Sequence, residues 1–266
     1  MHFTTLLIEP PGTDSQLINL ILAPEKFHVK TAECGTDAWN LIIESDPPDL
    51  VIIDTDIPLK GNVRIGAAQL MDLMSQLPQW HKTPKLMLTS DASSTVFQQA
   101  SKKGVCAAIL KPYDPRRFIH EIHCCIRKQL DAHIKEVNRQ HIELGTEIRN
   151  VAKIYNQDAI KAKLKEILNG VERHFAFEEA YMLHHYYADL EEHRTGHEQI
   201  YSQAKKLIDD ICQGGQVITG DKLDQIIATI FDGVDDDKKY IGFLYELLES
   251  LTSEITTGSK MCCTQR

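Results

Sequence analysis

Residues 174–197 read HFAFEEAYMLHHYYADLEEHRTGH and carry two helical pairs four residues apart, His174 with Glu178 and His193 with His197. Residues at that spacing share one face of an α-helix. Both faces are apolar. His174 and Glu178 continue a stripe of Ile160, Leu164, Ile167 and Val171, and His193 and His197 run on into Ile200, Ala204, Ile208 and Ile211. Burying a lone carboxylate costs several kcal/mol unless it is paired or metal-bound. A single histidine on an apolar face is ordinarily a hydrogen-bonded core residue. Several histidines with a glutamate on converging core faces point instead to a metal site.

Working outward, the same periodicity extends in both directions. Upstream, a stripe of Phe118, Ile122, Ile126, Leu130, Ile134, Val137, His141, Leu144, Ile148 and Val151 is spaced by threes and fours. It predicts one long helix over about 114–156 that brings a further histidine, His141, to the same core. Downstream, Leu223, Ile227, Ile230, Val234, Asp237, Ile241, Leu244 and Leu248 form the buried face of a last helix over 220–252, with Asp237 on it. Asp235 and Asp236 point elsewhere. Helices over 159–186 and 189–212 complete an all-α, up-down four-helix bundle, whose core can host a metal pair.

Before residue 114 the pattern is different. Apolar runs TLLI, FHVKTA, DLVIID, KLMLT and CAAIL are each followed by a helical stretch. Five such repeats predict an α/β doubly wound, parallel five-stranded sheet covered on both faces. Ligand chemistry then gathers at the carboxyl ends of the strands, where Glu9, Asp54, Thr89 and Lys111 fall. A carboxylate at a strand end, ringed by a hydroxyl and an ammonium, suits acceptance of a phosphoryl group. The carboxylate attacks, the ammonium and a divalent cation offset the transferred charge, and the hydroxyl binds a phosphoryl oxygen. The domains are therefore drawn as 1–125 and 126–256, sharing the long helix, with a tail over 257–266.

Composition narrows the class. With 266 residues, 42% hydrophobic and 25% charged, the chain has room for two ordinary globular cores. A net charge of −9 argues against a nucleic-acid-binding surface. No apolar run approaches the ~20 residues that span a bilayer. The N-terminal MHFTTLLIEPPG lacks a basic segment and reads as a first strand rather than a signal peptide, so the expected location is cytoplasmic. Seven cysteines, an odd count with no CxxC, predict reduced thiols. Cys262 and Cys263 read as an exposed pair on a frayed end.

VIIDTDIP around Asp54, LMLTS around Thr89 and ILKPY around Lys111 resemble the receiver domains of two-component response regulators over about residues 1–125. Pro58, Lys111-Pro112 and the 22-residue step from Thr89 to Lys111 belong to that resemblance. It implies Asp54 as phosphoacceptor, Mg²⁺ beside it, and a histidine kinase or other signalling protein as partner. Two positions depart from the pattern. Receivers end the first strand with two acids, and here Glu9 is followed by Pro10, which offers no oxygen to a hard cation. The aromatic residue expected three before the lysine is Ala108. Weak Mg²⁺ binding and slow phosphorylation are the expectation.

The bundle is similar to the hemerythrin family, especially its bacterial members, over about 134–253. RQHIEL carries His141, HFxxEE carries His174 and Glu178, HxxxH carries His193 and His197, and DKKYIGFL carries Asp237. Met182 and Tyr187 sit where the family has Met and Tyr. The resemblance implies two irons, oxo- or hydroxo-bridged and spanned by Glu178 and Asp237, with O₂ as a ligand. The family has a histidine five before the last aspartate. This chain has Asp232, which could bind iron through oxygen or leave a position open, and Gly233 replaces a bulky neighbour. His123, His133, His184 and His185 match no ligand position and read as surface residues or residues behind the ligands.

The function expected from these readings is a signalling protein, more a binder than an enzyme. Its di-iron bundle would sense oxygen, redox state, peroxide or NO and act with a partly degenerate receiver. A di-iron peroxidase- or oxidase-like enzyme, or an oxygen or iron store, is the alternative. A homodimer is among the assemblies open to such a chain.

Overall fold

Alternating strand and helix segments up to residue 114, then helix alone, organise the chain. The computed structural model describes residues 3–25, 27–60, 64–93, 104–185, 187–213, 219–236 and 238–260. Of residues 211, 213, 231–236, 238, 250 and 252–260 it describes the backbone only. The chain divides into two compact units, one of residues 1–131 and 248–266 and the other of residues 132–247.

The first unit is built on five parallel strands: β1 Phe3–Ile8, β2 Phe27–Ala32, β3 Leu50–Asp54, β4 Lys85–Thr89 and β5 Val105–Leu110, in the order β2-β1-β3-β4-β5. Helices α1 Thr13–Leu22, α2 Gly35–Glu44 and α3 Ala67–Gln76 intervene. β3 and β4 are buried at every residue, as expected of strands covered on both faces. Because side chains alternate along a strand, Leu6, Ile8, Val51, Ile53 and Met87 share one core with Ala38 and Ile42 of α2 and Leu70 and Met74 of α3. Leu7, Ile52 and Leu88 face the other way and are fully buried too, as are Ile18 and Leu22 of α1. Gly35 opens α2 tightly against the chain: a Cβ there would overlap the Ile65 carbonyl.

Helix α4, Pro115–Val151, runs unbroken through Gly145. At 1.5 Å per residue it is about 55 Å long. Every apolar member of its predicted stripe is buried, from Phe118 at 0% to Val151 at 1% exposure. Its first turns also carry Cys125, which is disulfide-bonded to Cys106 of β5 with their Cα atoms 5.9 Å apart. This corrects the expectation of uniformly reduced thiols. The pairing joins a strand to a helix 19 residues on, and neither spacing nor cysteine count carries that information. Cys34, Cys124 and Cys212 are free.

The second unit is all-helical. Besides the later part of α4 it contains α5 Gln157–His184, α6 Leu190–Gln213, α7 Gly220–Asp236 and the first part of α8, Lys238–Lys260. The single last helix expected over 220–252 is thus described as two segments flanking residue 237, which lies outside the described residues. Asn156 caps α5, its side-chain oxygen accepting from the Ala159 amide at 2.9 Å. The core draws on four helices: Leu144 and Ile148, Leu164, Ile167 and Val171, Ala204 and Ile208, and Leu223, Ile226 and Ile230. On α7, Leu223 and Ile230 are buried as the stripe predicts, but between them Ile226 is buried and Ile227 only partly so. No helix among the described residues is long and apolar enough to cross a membrane.

Candidate functional site

Two sites emerge, one in each unit. In the first, parallel pairing sets the carboxyl ends of β1, β3, β4 and β5 side by side. Glu9 follows β1, Asp54 ends β3, Thr89 ends β4 and Lys111 follows β5. The Lys111 amide donates to the Thr89 carbonyl at 2.8 Å, so β5 delivers the lysine beside β4. The Lys111-Pro112 peptide is cis. Lys111 Nζ then donates to Asp54 Oδ2 at 2.8 Å and to Glu9 Oε1 at 2.9 Å. It also lies 2.9 Å from Asp14 Oδ2, in the first turn of α1. Asp14 was not among the residues singled out from the sequence. Asp54 Oδ1 accepts from the Asp56 amide at 2.9 Å, and the buried Thr89 hydroxyl accepts from the Thr55 hydroxyl at 3.2 Å.

Three carboxylates around one ammonium leave the pocket short of positive charge. Burial, reinforced by the Asp54 carboxylate and opposed by Lys111, pushes Glu9 up from 4.5 to about 7. Burial alone would lower Lys111, yet its hydrogen bonds to Asp54, Asp14 and Glu9 hold it above the ordinary lysine range. The two shifts are compatible, since Lys111 gains from three partners while Glu9 has only a share of one. Tyr113, next but one after Lys111, is pushed up to about 12 by burial and then by the Asp14 carboxylate. The arrangement holds a nucleophilic carboxylate, a cationic side chain and a hydroxyl at the mouth of the sheet, the parts a phosphoryl acceptor needs.

In the helical unit, Glu178 of α5 is fully buried and stands between two pairs of histidines. Its Oε1 is 3.6 Å from His174 Nε2 and 3.8 Å from His141 Nε2. Its Oε2 is 3.6 Å from His193 Nε2 and 3.8 Å from His197 Nε2. These separations exceed hydrogen-bond lengths. Ligand atoms about 2.0–2.2 Å from a shared ion sit roughly 3–4 Å apart. His141, His174 and Glu178 make one cluster able to hold an ion, and Glu178, His193 and His197 make a second. The donor set, imidazole nitrogens with one shared carboxylate, suits transition metals.

Side chains behind the histidines orient them, and the sequence did not mark them. His174 Nδ1 donates to Gln140 Oε1 at 3.0 Å, and His197 Nδ1 donates to Glu179 Oε1 at 2.9 Å. Amide and carboxylate oxygens only accept, so the proton sits on Nδ1 and each Nε2 is turned toward Glu178, that of His174 also lying 2.9 Å from His141 Nε2. Arg194 Nε holds the other Glu179 oxygen at 3.2 Å. Of the predicted last-helix residues, Asp237 lies outside the described residues, as does the side chain of Asp232.

Of the remaining histidines, His123, His133 and His185 are buried, which removes the surface alternative for them. His133 is buried, stacks on Tyr181 with ring centres 3.5 Å apart, and is hydrogen-bonded through Nε2 to the Tyr240 hydroxyl at 2.7 Å. Burial first, then the nearby His185, lowers its pKa to about 3. His185 is itself buried, with its ring 4.2 Å from that of Tyr181. His123 is buried with Nε2 3.6 Å from Glu25 Oε2. A polar residue on a buried stripe can be packed without being a ligand, and periodicity does not separate the two.

Comparison with known proteins addresses the first unit. Residues 6–123 match the family model of the response regulator receiver domain. The transcriptional regulatory protein SrrA of Staphylococcus aureus is 21% identical over 154 residues, covering 55% of this chain. The chain spans 60% of the length of that relative. Among solved structures, a response regulator from Chloroflexus aurantiacus is 22% identical, covering 47% of this chain and 98% of its own, with a TM-score of 0.43. A receiver domain protein from Methanospirillum hungatei is 20% identical, covering 48% and 97%, also at 0.43. The family match covers the elements that carry Glu9, Asp54, Thr89 and Lys111, so residues 6–123 of this chain form a response-regulator receiver domain.

Proposed function

We propose that the chain is a signalling protein whose helical unit holds two iron ions and senses oxygen, redox state, peroxide or NO, working with the receiver domain. The receiver supports two-component-type signalling, with a histidine kinase or another signalling protein as the partner class. The observation that carries the metal reading is the division of Glu178, one carboxylate oxygen toward His141 and His174 and the other toward His193 and His197. A bridging carboxylate with two imidazoles on either side is the ligand arrangement of a metal pair in a helical bundle. When bound, such a pair supplies one-electron redox change and an open position for a small ligand. The protein's own part is to fix the imidazoles through Gln140 and Glu179 and to keep Glu178 from bulk water. His141 lies on α4, the same helix that begins in the receiver, so a movement of that helix offers a route from sensing to signalling.

The test is elemental analysis and absorption spectroscopy of protein made in iron-replete cells. About two irons per chain are expected, with charge-transfer bands that change on reduction. Glu178→Ala should lose most of the metal while remaining helical. One ion or none in the native protein, or unchanged loading in the variant, would refute the bridged-pair reading.

A further inference from the structure

Pro10 stands where a receiver carries its second acid, and the loss of that carboxylate predicts a poor cation site. The structure brings another acid to the same pocket. Asp14 enters from the first turn of α1 and reaches Lys111 Nζ at 2.9 Å, beside Asp54 at 2.8 Å and Glu9 at 2.9 Å. Three carboxylates from three elements thus converge on one cationic nitrogen. We propose that Asp14 is the third carboxylate of a divalent-cation site shared with Glu9 and Asp54, supplied from α1 in place of the oxygen that Pro10 lacks. The proposal rests on the receiver domain and is independent of the metal reading of the helical unit.

Two further observations point to a cation site. Glu9 is buried to 4% side-chain exposure, and its second oxygen, Oε2, has no hydrogen-bond partner among the described residues. The Tyr113 hydroxyl, whose ionisation is suppressed first by burial and then by the Asp14 carboxylate, is likewise buried without a hydrogen-bond partner among the described residues. A buried carboxylate oxygen left in this way costs free energy that a bound ion would recover. The donor set is all oxygen, the choice of Mg²⁺ rather than of a transition metal.

The donor count of Lys111 supplies a consequence for the phosphoacceptor. An ammonium has three N–H donors, and here three carboxylates face it. None is left over for a phosphoryl oxygen on Asp54. Asp14 is the partner that can leave, because its side chain is 50% exposed whereas those of Glu9 and Asp54 are 4% and 5% exposed. A divalent ion would draw the carboxylates in to the roughly 2.1 Å of a Mg²⁺–oxygen contact. Turning Asp14 from Lys111 to the ion releases one N–H for the phosphoryl group. The cation site and the freeing of Lys111 are then one movement.

Calorimetric titration of the full chain with MgCl₂, near pH 8 so that Glu9 is ionised, tests this. Asp54→Asn defines the heat of any Mg²⁺ bound elsewhere. Above that background the native protein should take up one Mg²⁺. Asp14→Asn should bind at least about tenfold more weakly, and Pro10→Asp/Asp14→Asn should recover native affinity to within about threefold. The double variant keeps three carboxylates and guards against an effect on folding, which thermal melts of all variants check. Repeating the titrations in about 0.5 M KCl separates ligation from a through-space field, since salt screens the field and not a direct bond. No Mg²⁺ uptake by the native protein, equal affinity in Asp14→Asn, or a difference that disappears in high salt would overturn the proposal.

Discussion

His133 makes the helical unit sensitive to acid by an amount that follows from its surroundings. In the fold its imidazole is buried, hydrogen-bonded to the Tyr240 hydroxyl and near His185, with the Glu136 carboxylate opposing, and burial above all lowers its pKa from 6.5 to about 3. Above 6.5 neither the folded nor the unfolded chain holds the proton. As the pH falls through 6.5 the unfolded chain takes up a proton that the fold refuses until about 3, so stability is lost across that window. The limiting slope is about 1.4 kcal/mol per pH unit, and the loss between about pH 7.5 and pH 5 is about 2 kcal/mol from this residue alone. His133→Gln can still hydrogen-bond Tyr240 and does not titrate. It should be less stable than the native protein at pH 7.5 for loss of ring stacking, but its stability should fall about 2 kcal/mol less on going to pH 5. Guanidinium unfolding of both proteins at the two pH values, with chelator present, measures this, and comparing them cancels groups that titrate in both. Parallel pH dependences would show that His133 is protonated in the fold and that the reasoning from burial is wrong.

Other perturbations probe the remaining links. Glu179→Gln removes the charge that holds His197 Nδ1–H and Arg194 Nε, and metal affinity should fall roughly 10- to 100-fold with helicity unchanged. Competition with a chelator reads this out, and unaltered affinity would mean Glu179 does not orient the ligand. Gly35→Ala forces a methyl onto the Ile65 carbonyl, a backbone atom that cannot swing aside, and should cost roughly 2–3 kcal/mol of receiver stability. A melt within a degree or so of native would show that the backbone there yields easily.

Much of the architecture was legible because the signals for it are local. The continuous apolar runs of β3 and β4 announce strands buried on both faces, and both are buried throughout. The three- and four-residue stripe on α4 marks its buried face over the whole length of the helix. The burial of Ile226 ahead of Ile227 was not legible, since both are isoleucines and adjacent faces of a helix overlap in pattern. The same limit left His133 and His185 readable either as surface residues or as residues behind the ligands.

By itself the sequence determined which residue types stand on which face of which element. It placed Glu9, Asp54, Thr89 and Lys111 at strand ends, and His141, His174, Glu178, His193 and His197 on inward helical faces, because side-chain direction repeats every two residues in a strand and every 3.6 in a helix. Only the tertiary structure decided what those groups meet. Asp14 joins Lys111 through the way α1 leaves β1, Cys125 meets Cys106 because α4 carries it to β5, and His133 finds Tyr240 across 107 residues. The division of the Glu178 oxygens between two histidine pairs depends likewise on how helices α4, α5 and α6 are turned toward one another. Periodicity is a property of one element. Contact between elements is set by packing density and register over the whole core, which no single stretch of sequence contains.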